Sequence, residues 1–133
     1  MIKIDDDRTT LHITRGDATH EEYNCLAIQF PLWNCVEEIE ELYVFKVGDK
    51  LRLTVFDKNG YTKDELLVKE YTIDEETTTP VLSLTSEDTK SFPLTNKRKT
   101  YWYDIVLNND TTIIGVDENG AKKIIVYPEA VED

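Results

Sequence analysis

With 133 residues, 40% of them hydrophobic, and seven Tyr, four Phe and two Trp, the chain can bury a single-domain core over 1–133 without disulfides or a metal. Its formal charge of −12, from 27 acidic and 15 basic residues, excludes the clustered basic surface that nucleic-acid backbones and anionic membranes require. Acidity by itself names no partner.

The opening stretch MIKIDDDRTT has no basic segment followed by an apolar one, so no export signal is expected there. No apolar run approaches the ~20 residues of a membrane-spanning helix. Cys25 and Cys35 are the only cysteines, and in a chain read as unexported they are expected to be reduced rather than bridged.

From there strand patterns dominate. LHIT alternates Leu11 and Ile13 with His12 and Thr14. NCLAIQF is a β-rich run stopped by Pro31. NCVEEIEELY is open: Val36, Ile39 and Tyr43 have helical spacing, but four Glu in six residues suit a solvated strand face or loop equally well. The acidic Glu37–Glu41 stretch therefore has no assigned role. LYVFKV leads through Gly48-Asp49 into KLRLTVF, where Leu51, Leu53 and Val55 share one face. In LLVKEYTI, Leu67, Tyr71 and Ile73 share a face that Lys69 interrupts. PVLSLT is short, with Pro80 at its start or on an edge. TSEDTKSF offers one helical turn with Thr85 as cap and Asp88 three residues on. YWYDIVL turns Tyr101, Tyr103, Ile105 and Leu107 inward and Trp102, Asp104 and Val106 outward, and TTIIGV and KKIIVY follow.

Asn59-Gly60 and Asn119-Gly120 lie between strand-like runs, and Asn-Gly is favoured where both central residues of a hairpin turn need positive φ. Seven to nine short strands with turns every ~8–12 residues predict an all-β fold, an antiparallel, immunoglobulin-like sandwich with little helix.

Chemistry is hard to find in this pattern. His20 with Cys25 would make a thiol–imidazole pair, yet nothing else completes such a site, and a loop histidine near a small buried cysteine is the simpler account. DKNG and DENG place Gly fourth rather than sixth, so they read as turns and not calcium loops. Asp5–Asp7 read as an exposed acidic segment. Two Cys and two His without paired spacing serve zinc poorly. The expectations are no enzyme, no cofactor and no metal. Trp33 and Trp102 are the aromatics left outside the core by this pattern, and they are the candidate interface residues.

ITRGDAT, YVFKVGDKLRLTVF, SLTSEDTKSF and TYWYDIVL, in this order, resemble the N-terminal domain of phage baseplate upper proteins, found in tails and baseplates of phages and prophages of Gram-positive bacteria. Thr14, Arg15, Gly16 and Asp17 match the first element of that pattern and Gly48 and Asp49 the second. Asp88 and Thr89 match the third, and Tyr103, Asp104 and Ile105 the fourth. The resemblance implies a non-catalytic virion protein, made in the bacterial cytoplasm. It would assemble as a symmetric homo-oligomer with other tail or baseplate proteins, without nucleic acid or membrane. A carbohydrate-binding sandwich is the competing reading, and it needs an exposed aromatic pair beside a polar groove. Arg15-Gly16-Asp17 is also a tripeptide of integrin ligands. Here it is read as a structural turn in which Gly16 bends the chain, Asp17 bonds nearby backbone and Arg15 pairs with a carboxylate.

Overall fold

The computed structural model describes residues 1–57, 65–118 and 120–129. The described residues form eleven strands and one short helix: β1 Ile2–Ile4, β2 Leu11–Thr14, β3 Leu26–Ala27, β4 Pro31–Asn34, β5 Ile39–Leu42, β6 Lys50–Phe56, β7 Glu65–Thr72, β8 Val81–Leu82, α1 Ser86–Thr89, β9 Lys99–Leu107, β10 Thr111–Ile114 and β11 Lys122–Tyr127. The all-β class is as the sequence predicts. The strand count exceeds the expected seven to nine because several strands have only two to four residues.

Seven strands make one sheet in the order β1-β2-β11-β9-β6-β7, with β10 beside the second half of β9. The expectation of purely antiparallel pairing fails at one place. β11 runs parallel to β2, with Ile124 opposite Leu11 and Val126 opposite Ile13. A period-two pattern says which face a residue takes and carries no information on strand direction, so the mixed sheet had no signature in the sequence.

Alternation works as expected along the inner face. Leu11, Ile13, Leu51, Leu53, Val55, Tyr101, Tyr103, Ile105, Ile124 and Val126 are all buried there. What covers this face is not a second extended sheet. The covering layer is built of the two-residue ribbon β3–β8 and irregular chain bearing Ile28, Phe30, Phe45, Leu84 and Phe92, all buried in the same cluster. Ring edges lock it: Phe30 meets Phe45 at 5.3 Å between centroids, Tyr43 meets Phe45 at 4.8 Å, and Phe92 meets Tyr101 at 5.0 Å. LYVFKV accordingly is not a continuous strand. Phe45 makes a single bridge to Thr77 and points into the core, while Val44 and Val47 are exposed.

Turn chemistry is partly as expected. Thr85 caps α1, its hydroxyl accepting from the Asp88 amide while the Asp88 carboxylate accepts from the Thr85 amide. Asn59-Gly60 lies outside the described residues, as does Asn119. Gly120 has φ +93, but it is not a central turn residue: it bridges Asp117 and closes the turn. That is the arrangement in which a left-handed glycine follows the turn and absorbs the strand twist. Among the described residues, a tight turn with two central positive-φ residues is Asn108-Asn109, at φ +51 and +62, between β9 and β10. Asparagine tolerates this region better than other side-chain-bearing residues.

Candidate functional site

The Arg-Gly-Asp tripeptide turns out to be a joint. Thr14 and Asp17 close a turn through Asp17 N to Thr14 O at 3.0 Å, with Gly16 at φ +90. A side chain at Gly16 would also collide with Glu129, whose Oε2 lies 2.8 Å from the Cβ position. Arg15 fans its donors into the body of the fold: Nε to Phe92 O at 2.8 Å, one terminal nitrogen to Lys90 O at 3.2 Å, the other to the Glu129 carboxylate. Gly16 N donates to Thr89 Oγ1 at 2.9 Å, Ser86 Oγ to Gly16 O at 2.7 Å, and Thr89 Oγ1 to Asp17 O at 2.8 Å. The tripeptide is thus clamped to α1, and two segments distant in sequence form one unit. Turn chemistry leads one to expect the Asp17 carboxylate on nearby backbone, but it holds the Met1 ammonium instead.

Asp49 does similar work at the other end. Its carboxylate accepts from Lys46 N at 3.0 Å, Tyr43 Oη at 3.0 Å and Asn108 Nδ2 at 3.2 Å. Burial acts to raise its pKa, and these bonds outweigh it, so Asp49 stays below the usual carboxylate value. Gly48, at φ +97, places its N–H on Ile73 O. This Gly-Asp pair makes a turn into β6 rather than a hairpin, because β6 pairs with β7 and β9 and not with the strand before it.

The two tryptophans part company. Trp102 takes the outer-face position expected for it, but its indole is half-buried and its Nε1 is buried without a hydrogen-bond partner. Its cross-strand neighbour Phe56 is 7% exposed. Asp104, next on this face, has its pKa raised by burial, with Glu65 adding to the shift and Arg52 opposing it. Trp33 is 64% exposed. It sits on the β4–β5 hairpin, which forms its own two-stranded sheet outside the main one.

That hairpin occupies the stretch whose periodicity was ambiguous. Asn34 decides it locally: its Oδ1 accepts from the amides of Val36 and Glu37 at 3.0 and 3.1 Å, and its Nδ2 donates to Glu41 at 2.8 Å. Glu38 at φ +57 completes the reversal. Registered pairs are Pro31 with Leu42, Leu32 with Glu41, Trp33 with Glu40 and Asn34 with Ile39. Every residue of β5 is exposed, and the hairpin leaves apolar side chains open on both faces: Trp33 and Leu42 share one, Ile39 lies on the other, and Val36 and Val44 are exposed beside them, among Glu37, Glu38, Glu40 and Glu41. A groove of about 370 Å³ runs along it between Leu32, Trp33, Glu41, Tyr43 and Val44. Monomeric surfaces seldom leave an apolar surface of this kind uncovered.

The other candidates come to less. His20 is exposed, its backbone bonded to Tyr23, and no bond joins it to Cys25. Both cysteines are free, Cys35 at the exposed hairpin turn. His12 lies between Asp5 Oδ2 at 2.9 Å and Tyr127 Oη at 2.8 Å, tying the first loop to β11. Among the described residues no group of three or more His, Cys, Asp or Glu side chains could hold a metal ion, and no helix is long and apolar enough to cross a membrane. A polar cleft of about 550 Å³ lies between β7 and β8, lined by Glu70, Thr72, Asp74, Glu75 and Thr77. Its one aromatic, Tyr71, spends its hydroxyl on Ser83 O at 2.6 Å, so the cleft lacks the exposed aromatic pair that sugar stacking needs.

Compared with protein-family models, curated proteins and solved structures, the chain matches none. The baseplate resemblance therefore stands on its own residues, and most of those are joints of the fold.

Proposed function

We propose that the chain is a phage or prophage virion structural protein, a tail or baseplate assembly module that acts by binding other proteins. The observation that carries this reading is the projecting β4–β5 hairpin. It is ordered by its Asx turn, stands outside the main sheet and presents Trp33 and Leu42 on one face and Ile39 on the other to solvent. Interface centres favour Trp because it buries a large area at small entropy cost. The ordered run of motifs from Thr14 to Ile105 supports placing the module in a tail or baseplate, with homo-oligomeric symmetry of the kind such particles use.

The test is mass spectrometry of phage particles released by prophage induction of the source strain. Peptides of this chain should band with the particles. Their confinement to the soluble cell fraction would overturn the virion assignment. Light scattering coupled to size exclusion, at physiological and high salt, tests homo-oligomerisation. With −12 charges to overcome, self-association should tighten with salt, and a monomer in both conditions would refute it.

A further inference from the structure

The hairpin carries more detail than exposure alone. Tyr43 N donates to Phe30 O at 2.9 Å, which sets the phase of the antiparallel ladder. Leu32–Glu41 and Asn34–Ile39 are then the mutually bonded pairs, and Pro31–Leu42 and Trp33–Glu40 are the non-bonded ones. Residues in non-bonded pairs turn their N–H and C=O away from the partner strand. On the outer edge of β5, the backbones of Glu40 and Leu42 therefore face solvent, and no described residue bonds them. The opposite edge, β4, is poorer because Pro31 has no N–H to give. β5 is the competent edge.

From this geometry we infer that the outer edge of β5 receives an extended strand of a different protein, with the side-chain order apolar–basic–basic–apolar. The order follows from the edge itself. Ile39 and Glu41 project to one face of the hairpin and Glu40 and Leu42 to the other. An added strand meets Ile39, Glu40, Glu41 and Leu42 in turn, so its two central residues lie against carboxylates and its outer two against aliphatic side chains. Because that order is palindromic, either strand direction satisfies it.

A second copy of this chain is the wrong occupant. Two β5 edges pairing about a two-fold axis centred on Glu40 or Glu41 would set that glutamate opposite its own copy, and like charges directly opposed destabilise a strand pair. Residues 31–42 contain four Glu and no Lys or Arg, so the hairpin itself supplies no cation to relieve the repulsion. Charged edges commonly guard against aggregation. Here the guard is selective, since it repels an acidic or identical strand and attracts a basic one. Backbone bonds would supply the attachment and the carboxylates the choice of partner.

This inference rests on the assembly reading, and its test separates the two. A fluorescein-labelled hexapeptide, Thr-Val-Lys-Arg-Val-Thr, is titrated into the full chain, with Thr-Val-Glu-Glu-Val-Thr as the control. Binding is read by anisotropy, and amide exchange at Glu40 and Leu42 is followed by NMR. The expected result is saturable binding of the basic peptide alone, with exchange at those two amides slowed at least tenfold. Glu40→Lys with Glu41→Lys should reverse the preference between peptides, and a circular dichroism spectrum unchanged from the parent confirms that this variant is folded. Absence of binding, equal binding by the parent and the charge-reversed variant, or protection elsewhere on the chain would overturn the inference. Dimerisation without peptide that protects the same two amides would overturn it in favour of a second copy. If the particles contain the chain and the peptide fails, only the inference falls. If the peptide binds and the particles lack the chain, the virion assignment falls instead.

Discussion

Two antiparallel pairs of this molecule, β4–β5 and β6–β9, follow the same backbone rules under different conditions. In β6–β9 each inward residue meets a covering layer, so Leu53 and Ile105 sit opposite one another and out of water. In β4–β5 only Leu32 and Asn34 are half-buried, and all of β5, Ile39 and Leu42 included, stays exposed although the strand itself is well formed. Alternation thus marks a face, and burial depends on whether the rest of the chain supplies something to bury against. The hairpin is an ordered structure whose second layer is missing, which is the property expected of a surface that another molecule completes.

The comparison can be broken most directly by truncating one aliphatic side chain in each pair. Ile105→Ala should destabilise the fold by about 3 kcal/mol in urea unfolding, from lost burial and the cavity left behind. Ile39→Ala should cost under about 0.5 kcal/mol. Equal effects would mean that the hairpin is part of the cooperative core. Next in size is Arg15→Met, which removes three partners of a largely enclosed guanidinium and leaves Glu129 without its cation. A loss of about 2 kcal/mol is expected.

Acid sharpens the picture further, because the perturbed carboxylates belong to the main body. Burial tends to raise Asp7, but bonds from Thr10 and Thr9 win and hold it at about 2, against the ordinary 3.8. Asp88 is also lowered: the Lys69 ammonium and the Thr85 cap bonds prevail over burial. Stability from such groups is fully present above their ordinary value and is lost as pH falls through the folded one. Melting temperature should therefore drop between about pH 4 and pH 2. Asp88→Asn should cost about 1 kcal/mol at pH 7 and less as pH falls through the folded pKa of Asp88, where protonation removes the same charge. Asp104 has the opposite sign. Its raised pKa means that its contribution is full below 3.8 and lost as pH rises through the folded value. Asp104→Asn should raise the melting temperature at pH 7 and leave it unchanged at pH 3. A destabilised variant at pH 7 would show that the carboxylate has a partner in the fold.

Much of this architecture was legible. The strands LHIT, KLRLTVF and KKIIVY have the bounds expected of them, TTIIGV stops short at Ile114, and the Thr85–Asp88 box marks α1. β1 escaped because three residues are too few to show a period. The β4–β5 hairpin escaped because glutamates spaced among aliphatics satisfy two templates, and the choice lies with the side chain of Asn34. Asn108-Asn109 escaped because a turn without glycine carries the weaker sequence signal for positive φ. Of the candidate interface residues, Trp33 was placed by its exclusion from every buried face. The covering of Trp102 could not be read, since outer-face exposure depends on what else packs there.

The parallel pairing of β11 with β2 has a consequence for how the protein is made. Leu11 waits for Ile124 before that edge of the sheet can close, so nearly the whole described chain must leave the ribosome first. Until then β1 and β2 have no sheet to join, since among the described strands β11 alone links them to it, and Leu11 and Ile13 have nothing to be buried against. Nascent chains stalled before residue 122 would hold that edge available to one another, which makes them the species a cell's chaperones would have to guard.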